Sequence, residues 1–470
     1  MSFAAFLDTC VLAGVSFALE QGELVIESDS DLSDALLAEI RRRKSEILAW
    51  MESASAAAPA RARVTRRERA GGPDGVRLPL SASQQRLWLI DQLDGGSAHY
   101  NIPLRLRVEG RFDEAAAEAA LRGLVARHEP LRTVFVQDSE EPQQLIREHV
   151  DVHLRRVDLS ALDPAARAAQ VREQVAADAA APFDLRKDPL LRATLVRLAD
   201  DEGLLLVNLH HIAADGLSMA LVVREFAALY AAAAEGRPDP LPPLAVRYGD
   251  YAQWQKEWLD SEAFKEQLAC WERQLADLPT VHGLPLDRPR PAEQDFAGAT
   301  QRTLIDAATA QALRRLARDC EATLFMVLHA TLSVLLARHS GATDIVVGTP
   351  VANRLQKELE PLVGFFVNTL VLRVDAGGNP SFRDFLAQVK AVNAQAQAHQ
   401  DLPFESLVER LNPVRSTAHG PLFQLMLSLE APGDAALQLG DARLVPEREV
   451  PVAAKFDLSF NVTESNDGGL

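Results

Sequence analysis

The stretch that most limits how this chain can fold is Leu204–Leu209, LLLVNL, a nearly unbroken apolar run that follows Gly203 and ends on the adjacent histidines His210 and His211. Side chains alternate across a strand, so a strand without polar alternation is stable only inside a sheet covered on both faces. Helices must supply that cover. Amphipathic helix candidates at 112–127, 161–181, 217–235, 306–318, 322–338 and 381–398 alternate with strand candidates at 103–109, 203–211, 344–349 and 367–373. This pattern predicts an α/β fold. At 470 residues the chain exceeds what one core usually supports, so two or three packed units are expected. The proline-rich stretches GRPDPLPPL (236–244) and HGLPLDRPRPAE (282–293) interrupt the alternation, which predicts lobes at 80–240 and 241–470.

Residues 1–52 read as a separate small unit. Phe3, Phe6, Leu7 and Val11 recur at helical spacing, and Gly14 follows as a stop. Next, VSFALEQGELVIES gives two alternating runs around Gln21-Gly22, a hairpin with Phe17 and Leu19 facing Leu24 and Ile26, and Glu20 and Glu23 beside the turn. Ser30 or Asp31 is placed to cap a helix whose stripe is Leu32, Leu36, Ile40, Ile47 and Leu48. About fifty residues bury little surface, so an adaptor fits such a unit better than an enzyme does. Residues 53–79 lack apolar periodicity and read as a flexible linker whose arginines, Arg61, Arg63, Arg66, Arg67 and Arg69, stand in solvent.

Charge narrows the partners. With 49 basic against 66 acidic residues the net charge is −17, which argues against a general nucleic-acid surface or an anionic-membrane anchor. No apolar run approaches the roughly 18 residues of a membrane span, and MSFAAFLDTCVLAG has no basic leader region. Cys10, Cys270 and Cys320 are odd in number and far apart, giving neither a disulfide framework nor a zinc ribbon. A reducing, bacterial cytoplasm is the expected location.

The candidate site is the end of the apolar strand. Adjacent histidines there point opposite ways, so one can face a cavity while the other packs. Asp215 and Gly216 follow in the turn, and a helix is predicted to start near Ser218 and stop at Gly236. A histidine here can accept a proton near neutral pH, Asp215 can fix the backbone or bind a distant arginine, and Gly216 lets a ligand approach the main chain. Two packed core histidines and a helix-capping aspartate fit the isolated pattern as well. No third ligand stands at metal spacing, and no G-x-S-x-G elbow supports a serine nucleophile.

HHIAADG resembles the HHxxxDG signature of the condensation domains of nonribosomal peptide synthetases, members of the chloramphenicol-acetyltransferase-like superfamily. SASQQRLWLI from Ser81, RHEPLRTVF from Arg127, YGDYAQW from Tyr248, VGFFVNTLVLR from Val363, HQDLPFESLVERL from His399 and GPLFQLM from Gly420 resemble the family's other motifs, in the family's order. The resemblance covers 80–470. It implies two acetyltransferase-like lobes in a V-shaped pseudo-dimer, with a tunnel between them open to the phosphopantetheine arms of upstream and downstream carrier proteins, and no cofactor bound by the domain itself. An amine on one arm attacks a thioester on the other and forms an amide. His211 is then the general base or the positioning group, His210 packs, Asp215 pairs with Arg354 of GTPVANR, Arg132 orders the first lobe, and Gly216, Ser218 and Asn368 line the tunnel. By the same resemblance His399 is structural, and Tyr248, Tyr251 and Trp254 belong to the core.

The first 52 residues resemble the TubC-type docking domains found at synthetase N-termini, which implies that the hairpin edge takes the C-terminal tail of an upstream synthetase chain. Residues 1–51 hold nine acidic and four basic side chains, so a tail with basic residues is expected. The family usually continues past a segment such as AKFDLSFNVTESNDGG, so a piece of a larger synthetase chain is expected. A starter condensation domain with a fatty-acyl donor and a noncatalytic recruiting module are the alternative readings.

Overall fold

The structure is a computed structural model that describes residues 6, 15–20, 23–28, 34–48, 62–69, 71–96, 98–138, 140–414, 416–430, 436–447, 454–465 and 467–470. In chain order its elements are β1 (Val15–Glu20), β2 (Glu23–Ser28), α1 (Asp34–Arg42), β3 (Val76–Pro79), α2 (Ala82–Asp94), β4 (Asn101–Gly110) and α3 (Glu114–Arg127). A 3-10 turn (Glu129–Arg132), β5 (Thr133–Val136), β6 (Gln143–Ile146), β7 (Leu154–Asp158), α4 (Pro164–Ala180), β8 (Leu191–Arg197), β9 (Glu202–His210) and α5 (Gly216–Ala234) complete the first half. The second half holds α6 (Tyr248–Leu259), α7 (Glu262–Gln274), α8 (Ala307–Asp319), α9 (Leu324–Ser340), β10 (Asp344–Val351), β11 (Asn368–Asp375), α10 (Phe382–Ala398) and α11 (Phe404–Leu411). It ends with β12 (Leu425–Glu430), β13 (Leu437–Leu439), β14 (Ala442–Pro446) and β15 (Leu458–Thr463).

The apolar run becomes β9, buried from Gly203 through His210 in a sheet of order β13-β14-β4-β9-β8-β7. Its two faces meet different helices, as the absence of alternation requires. Leu205, Val207 and Leu209 pack with Leu121 and Leu124 of α3 and Val222 and Phe226 of α5. Leu204 and Leu206 pack with Val196 and Leu159, under Val171 and Val175 of α4. Helix α5 is 19 residues long and apolar enough to cross a membrane by length and composition, which corrects the expectation that no stretch approaches that length. Here it lies on the sheet, burying Leu221, Phe226, Leu229 and Tyr230, and its Glu225 meets His128 at 2.6 Å.

A second sheet, of order β11-β10-β12-β15, carries α9 and α10 on one face through Val327, Leu336, Phe385 and Val389. On its other face lie Trp271 of α7 and Phe404 and Leu407 of α11. The expected division at 240 is corrected by the first sheet: β14 pairs with β4, Leu444 opposite Val108, so residues 437–446 complete the sheet of the opposite half. The expected start at 80 moves as well, since β3 already pairs with β6 from Val76.

The linker expectation is overturned for residues 62–69. Val64 is 3% exposed within a cluster formed by Tyr248, Tyr251, Trp254 and Trp258 of α6 with Leu359, Leu362 and Phe366. Trp254 donates its indole N–H to the Ala62 carbonyl at 2.8 Å. The Arg69 side chain is buried and ion-paired to Glu129 at 2.7 Å and to Asp250 at 2.5 Å. Arg67 pairs with Glu257 at 2.5 Å. Arginines that look solvated in the sequence are anchors because carboxylates far along the chain meet them; of the described ones in this segment, Arg63 and Arg66 are exposed.

In the N-terminal unit β1 and β2 pair antiparallel with Phe17 opposite Ile26, Leu19 opposite Leu24 and Glu20 opposite Glu23. Phe6 and Ile40 are buried. The candidate caps Ser30 and Asp31, the turn Gln21-Gly22 and the helix residues around Phe6 lie outside the described residues.

Candidate active site

β9 pairs with β4 so that Asn101 stands opposite His210. One step further, the Tyr100 carbonyl takes the His211 N–H at 2.8 Å, and the chain then turns tightly: Ala213 N–H donates to His210 O at 2.9 Å and Ala214 N–H to His211 O at 3.3 Å. Ile212, Ala213 and Ala214 are fully buried, which leaves room only for small side chains at the last two. Alternation splits the histidines as expected. His210 is 2% exposed; its Nδ1 accepts from the Ile212 N–H at 3.1 Å, and its ring meets the Phe183 edge at 5.9 Å. His211 is half-buried, with its ring 5.4 Å from Phe365.

The tautomer of His211 follows from one bond. Its Nδ1 lies 3.1 Å from the Ala214 carbonyl, which can only accept, so Nδ1 carries the proton and donates. Nε2 has no hydrogen-bond partner among the described residues and is left as an acceptor. Burial first, and then the Lys455 ammonium, hold the imidazole down at about 4, against a smaller opposing pull from Asp215. Burial pushes His210 to about 3. Both rings are therefore neutral near pH 7.

Asp215 caps α5, accepting from Ser218 N–H at 2.9 Å. It is also gripped from the second half. Arg354 donates to both its oxygens, at 3.1 and 3.0 Å, with both side chains 3% exposed, and Phe366 N–H donates to Oδ2 at 3.0 Å. The guanidinium sits 4.4 Å over the Phe366 ring. Next to it Gly364 is obligatory: a Cβ there would stand 2.1 Å from the Tyr248 ring. The structure thus brings the Arg354 side chain to the turn that carries His211 and Asp215, joining segments about 140 residues apart.

Two expected tunnel residues are corrected. Ser218 is fully buried, its Oγ lies 2.8 Å from both Asp215 Oδ1 and the Gly364 carbonyl, and it accepts from Gly364 N–H and Arg354. Asn368 is 5% exposed and spends its amide on Gln400 O, Leu402 O and Phe404 N–H. Both satisfy buried backbone groups and have no capacity left for a ligand. Gly216 stands differently: it is exposed, and a Cβ there meets nothing within 4 Å. Arg132 is half-buried on the 3-10 turn and donates to the Arg147 carbonyl, within the first half. His399 Nδ1 lies 2.8 Å from the Gln395 carbonyl, and Tyr248, Tyr251 and Trp254 are core. Among the described residues no His, Cys, Asp and Glu group could hold a metal ion.

Sequence reasoning passed over Lys455 and Tyr100. Lys455 places its ammonium 4.7 Å over the Tyr100 ring, beside the histidine turn. Its segment, AKFDLSF, bears no motif that announces a site.

The condensation-domain family pattern matches residues 76–470. The chain is 43% identical over 396 residues to a component of the linear gramicidin synthase of Brevibacillus parabrevis, covering 83% of this chain and 8% of that one. It is 41% identical over 438 residues to phosphinothricin tripeptide synthetase PhsC of Streptomyces viridochromogenes, covering 92% of this chain and 40% of that one. It therefore spans less than a tenth of the gramicidin synthase component and under half of PhsC. Among solved structures, the X-domain in its complex with OxyB from teicoplanin biosynthesis superposes with a TM-score of 0.78 at 32% identity, covering 87% of each chain. The first condensation domain of the calcium-dependent antibiotic synthetase superposes with a TM-score of 0.68 at 24% identity, over 84% of this chain and 90% of that one, a likeness of fold. With the HHxxxDG turn built as described and the match running from β3 to the last residue, this chain belongs to the condensation-domain family, the amide-forming domains of nonribosomal peptide synthetases.

Proposed function

We propose that this chain joins an acyl or peptidyl thioester on an upstream carrier protein to the amine of an aminoacyl thioester on a downstream one, moving the lengthened chain downstream. The observation that carries this reading is the half-buried imidazole of His211, locked by Ala214 with Nε2 open as an acceptor. The two large sheets with their helices serve as the paired lobes, and the reactants meet between them beside Gly216, where no protein atom fills the space a Cβ would take.

The electrostatics favour a positioning group over a base. An α-amino group titrates near 8, so an imidazole held at about 4 would take a proton from the ammonium uphill by about 5 kcal/mol. His211 instead accepts an N–H of the neutral amine and aims its lone pair at the thioester carbon. That hydrogen bond strengthens as the nitrogen gains positive charge, which favours the transition state over the ground state.

The test is condensation between two loaded carriers, read by intact mass, with peptidyl and fatty-acyl donors in separate arms. Wild type should form the amide, and His211→Ala should slow it about 10²-fold. Equal rates in the two would sink the assigned role. Product from the fatty-acyl donor alone would make this a starter domain. The likeness to an X-domain solved in complex with OxyB supports a second reading, a protein-recruiting module, and the absence of product from any donor would favour it.

Residues 1–52 are proposed as a docking unit of TubC type, with the β1–β2 edge adding the tail of an upstream synthetase chain as a further strand. Isothermal titration with short basic and acidic peptides checks this, and indifference to peptide charge would refute the expected basic tail.

A further inference from the structure

Lys455 is a solvent-accessible cation with no counter-ion among the described residues, and it stands beside the histidine turn. Its ammonium lies over Tyr100, whose carbonyl holds the His211 N–H. Desolvation by the surrounding protein and then Arg86 of α2 push it down to about 8, and no carboxylate among the described residues offsets them. It still carries its charge at neutral pH, and that charge reaches both His211 and His210. The backbone around it is fixed rather than loose. Ala454 N–H donates to Phe296 O at 2.8 Å, Gln294 Nε2 donates to Lys455 O at 3.1 Å, Phe456 stacks on Phe423 at 5.3 Å, and Asp457 is held by His282 and Arg290. A lysine whose backbone is held beside a reaction centre, open to solvent and with no acid among the described residues to neutralise it, is placed to meet an anion that arrives later.

The reaction proposed above generates one. As the amine lone pair forms the C–N bond, the carbonyl π pair moves onto oxygen and leaves an oxyanion. When the C=O re-forms, the C–S bond breaks, and the proton released by nitrogen ends on the departing thiolate. We propose that Lys455 is a second catalytic residue of this chain, its ammonium offsetting the oxyanion of the tetrahedral adduct formed beside His211. This rests on the condensation reading. It also explains why the cation stands next to an imidazole that must remain neutral: the same positive charge disfavours protonation of both His211 and the incoming amine.

The experiment compares Lys455→Met, which keeps the apolar stem, with Lys455→Arg, which keeps the charge. Single-turnover condensation with loaded carriers should slow about 10²-fold in K455M and stay within about tenfold of wild type in K455R, with carrier affinity unchanged in both. A second readout is independent of turnover: the NMR titration of the His211 ring. The charged groups bearing on that ring or on its neighbours are Lys455, Asp215 with its partner Arg354, His210, Arg192 on β8 and Arg86 on α2. Only Lys455 is removed, so the His211 midpoint should rise in K455M and stay in place in K455R. A K455M rate within about threefold of wild type, equal damage in K455M and K455R, or an unmoved His211 midpoint would each overturn the inference while leaving the condensation reading intact. Absence of product from wild type would remove the reading and this inference together.

Discussion

Replacing Arg69 by methionine tests whether residues 62–69 are part of the folded domain. The guanidinium is 5% exposed and sits between Glu129, 5% exposed, and Asp250, fully buried. Its removal leaves two buried carboxylates short of a cation, which costs about 3–5 kcal/mol by the usual penalty for breaking a buried pair. Arg247 softens the loss, since its Nε lies 3.6 Å from both acids, so the lower figure is expected. Unfolding entropy of about 2.1 cal/mol/K per residue over some 400 residues gives roughly 0.8 kcal/mol/K, so 3 kcal/mol lowers the melting temperature by about 4 °C. The assay is thermal and urea unfolding of the full chain, with Arg66→Met as control. Arg66 is exposed and, among the described residues, donates only to the Leu244 carbonyl, so its loss should cost under about 1 kcal/mol. Equal melting temperatures for the two variants would refute the argument and restore the flexible-linker expectation.

Three further outcomes are expected. Asp215→Asn and Arg354→Met should each destabilise by about 3–5 kcal/mol, and the double variant by clearly less than the sum, measured by a urea double-mutant cycle; simple additivity would show that the pair is not coupled. His210, His211 and His329 are held at about 3, 4 and 4, below their unfolded value of about 6.5, so the unfolded chain binds protons that the folded one refuses. Their contribution is complete above pH 6.5 and is lost on acidification, by about 1.4 kcal/mol per pH unit for each histidine. The urea midpoint should therefore fall between pH 6.5 and 5, less steeply in His329→Gln, and a midpoint indifferent to pH would contradict the buried neutral rings. Gly216→Val should fold as wild type does, because the new side chain meets open space, yet should slow condensation; full activity would show that reactants do not pass there.

Much of the fold was legible because it is local. The run Leu204–Leu209 required cover on both faces, and α3, α4 and α5 supply it at nearly the positions their periodicity predicted. What failed was non-local. Nothing in residues 437–446 says that their sheet partner is β4, more than 300 residues earlier, because strand pairing depends on register and burial supplied by the partner. The segment around Arg69 has the composition of a linker, and its burial depends on Glu129 and Asp250, which belong to a 3-10 turn and a helix elsewhere.

The site divides along the same line. His211, Asp215 and Gly216 were readable because strand alternation and the following turn fix their directions within six residues, and the partner Arg354 came from a motif rather than from spacing. Ser218 and Asn368 were misplaced because a polar residue inside a motif looks the same whether it faces a ligand or a backbone carbonyl. The difference lies in bonds to Gly364, Gln400 and Leu402, which no local pattern encodes. Lys455 is the converse case, invisible in sequence because its meaning comes from what surrounds it: Tyr100 beneath, the histidine turn beside it, and no acid among the described residues to neutralise it. Groups that hold the fold find their partners inside the protein, whereas a group left open to solvent beside the histidine turn is free to meet a reactant. On the proposed reading, Nε2 of His211 and the ammonium of Lys455 are two such groups, one suited to a nitrogen becoming positive and the other to an oxygen becoming negative.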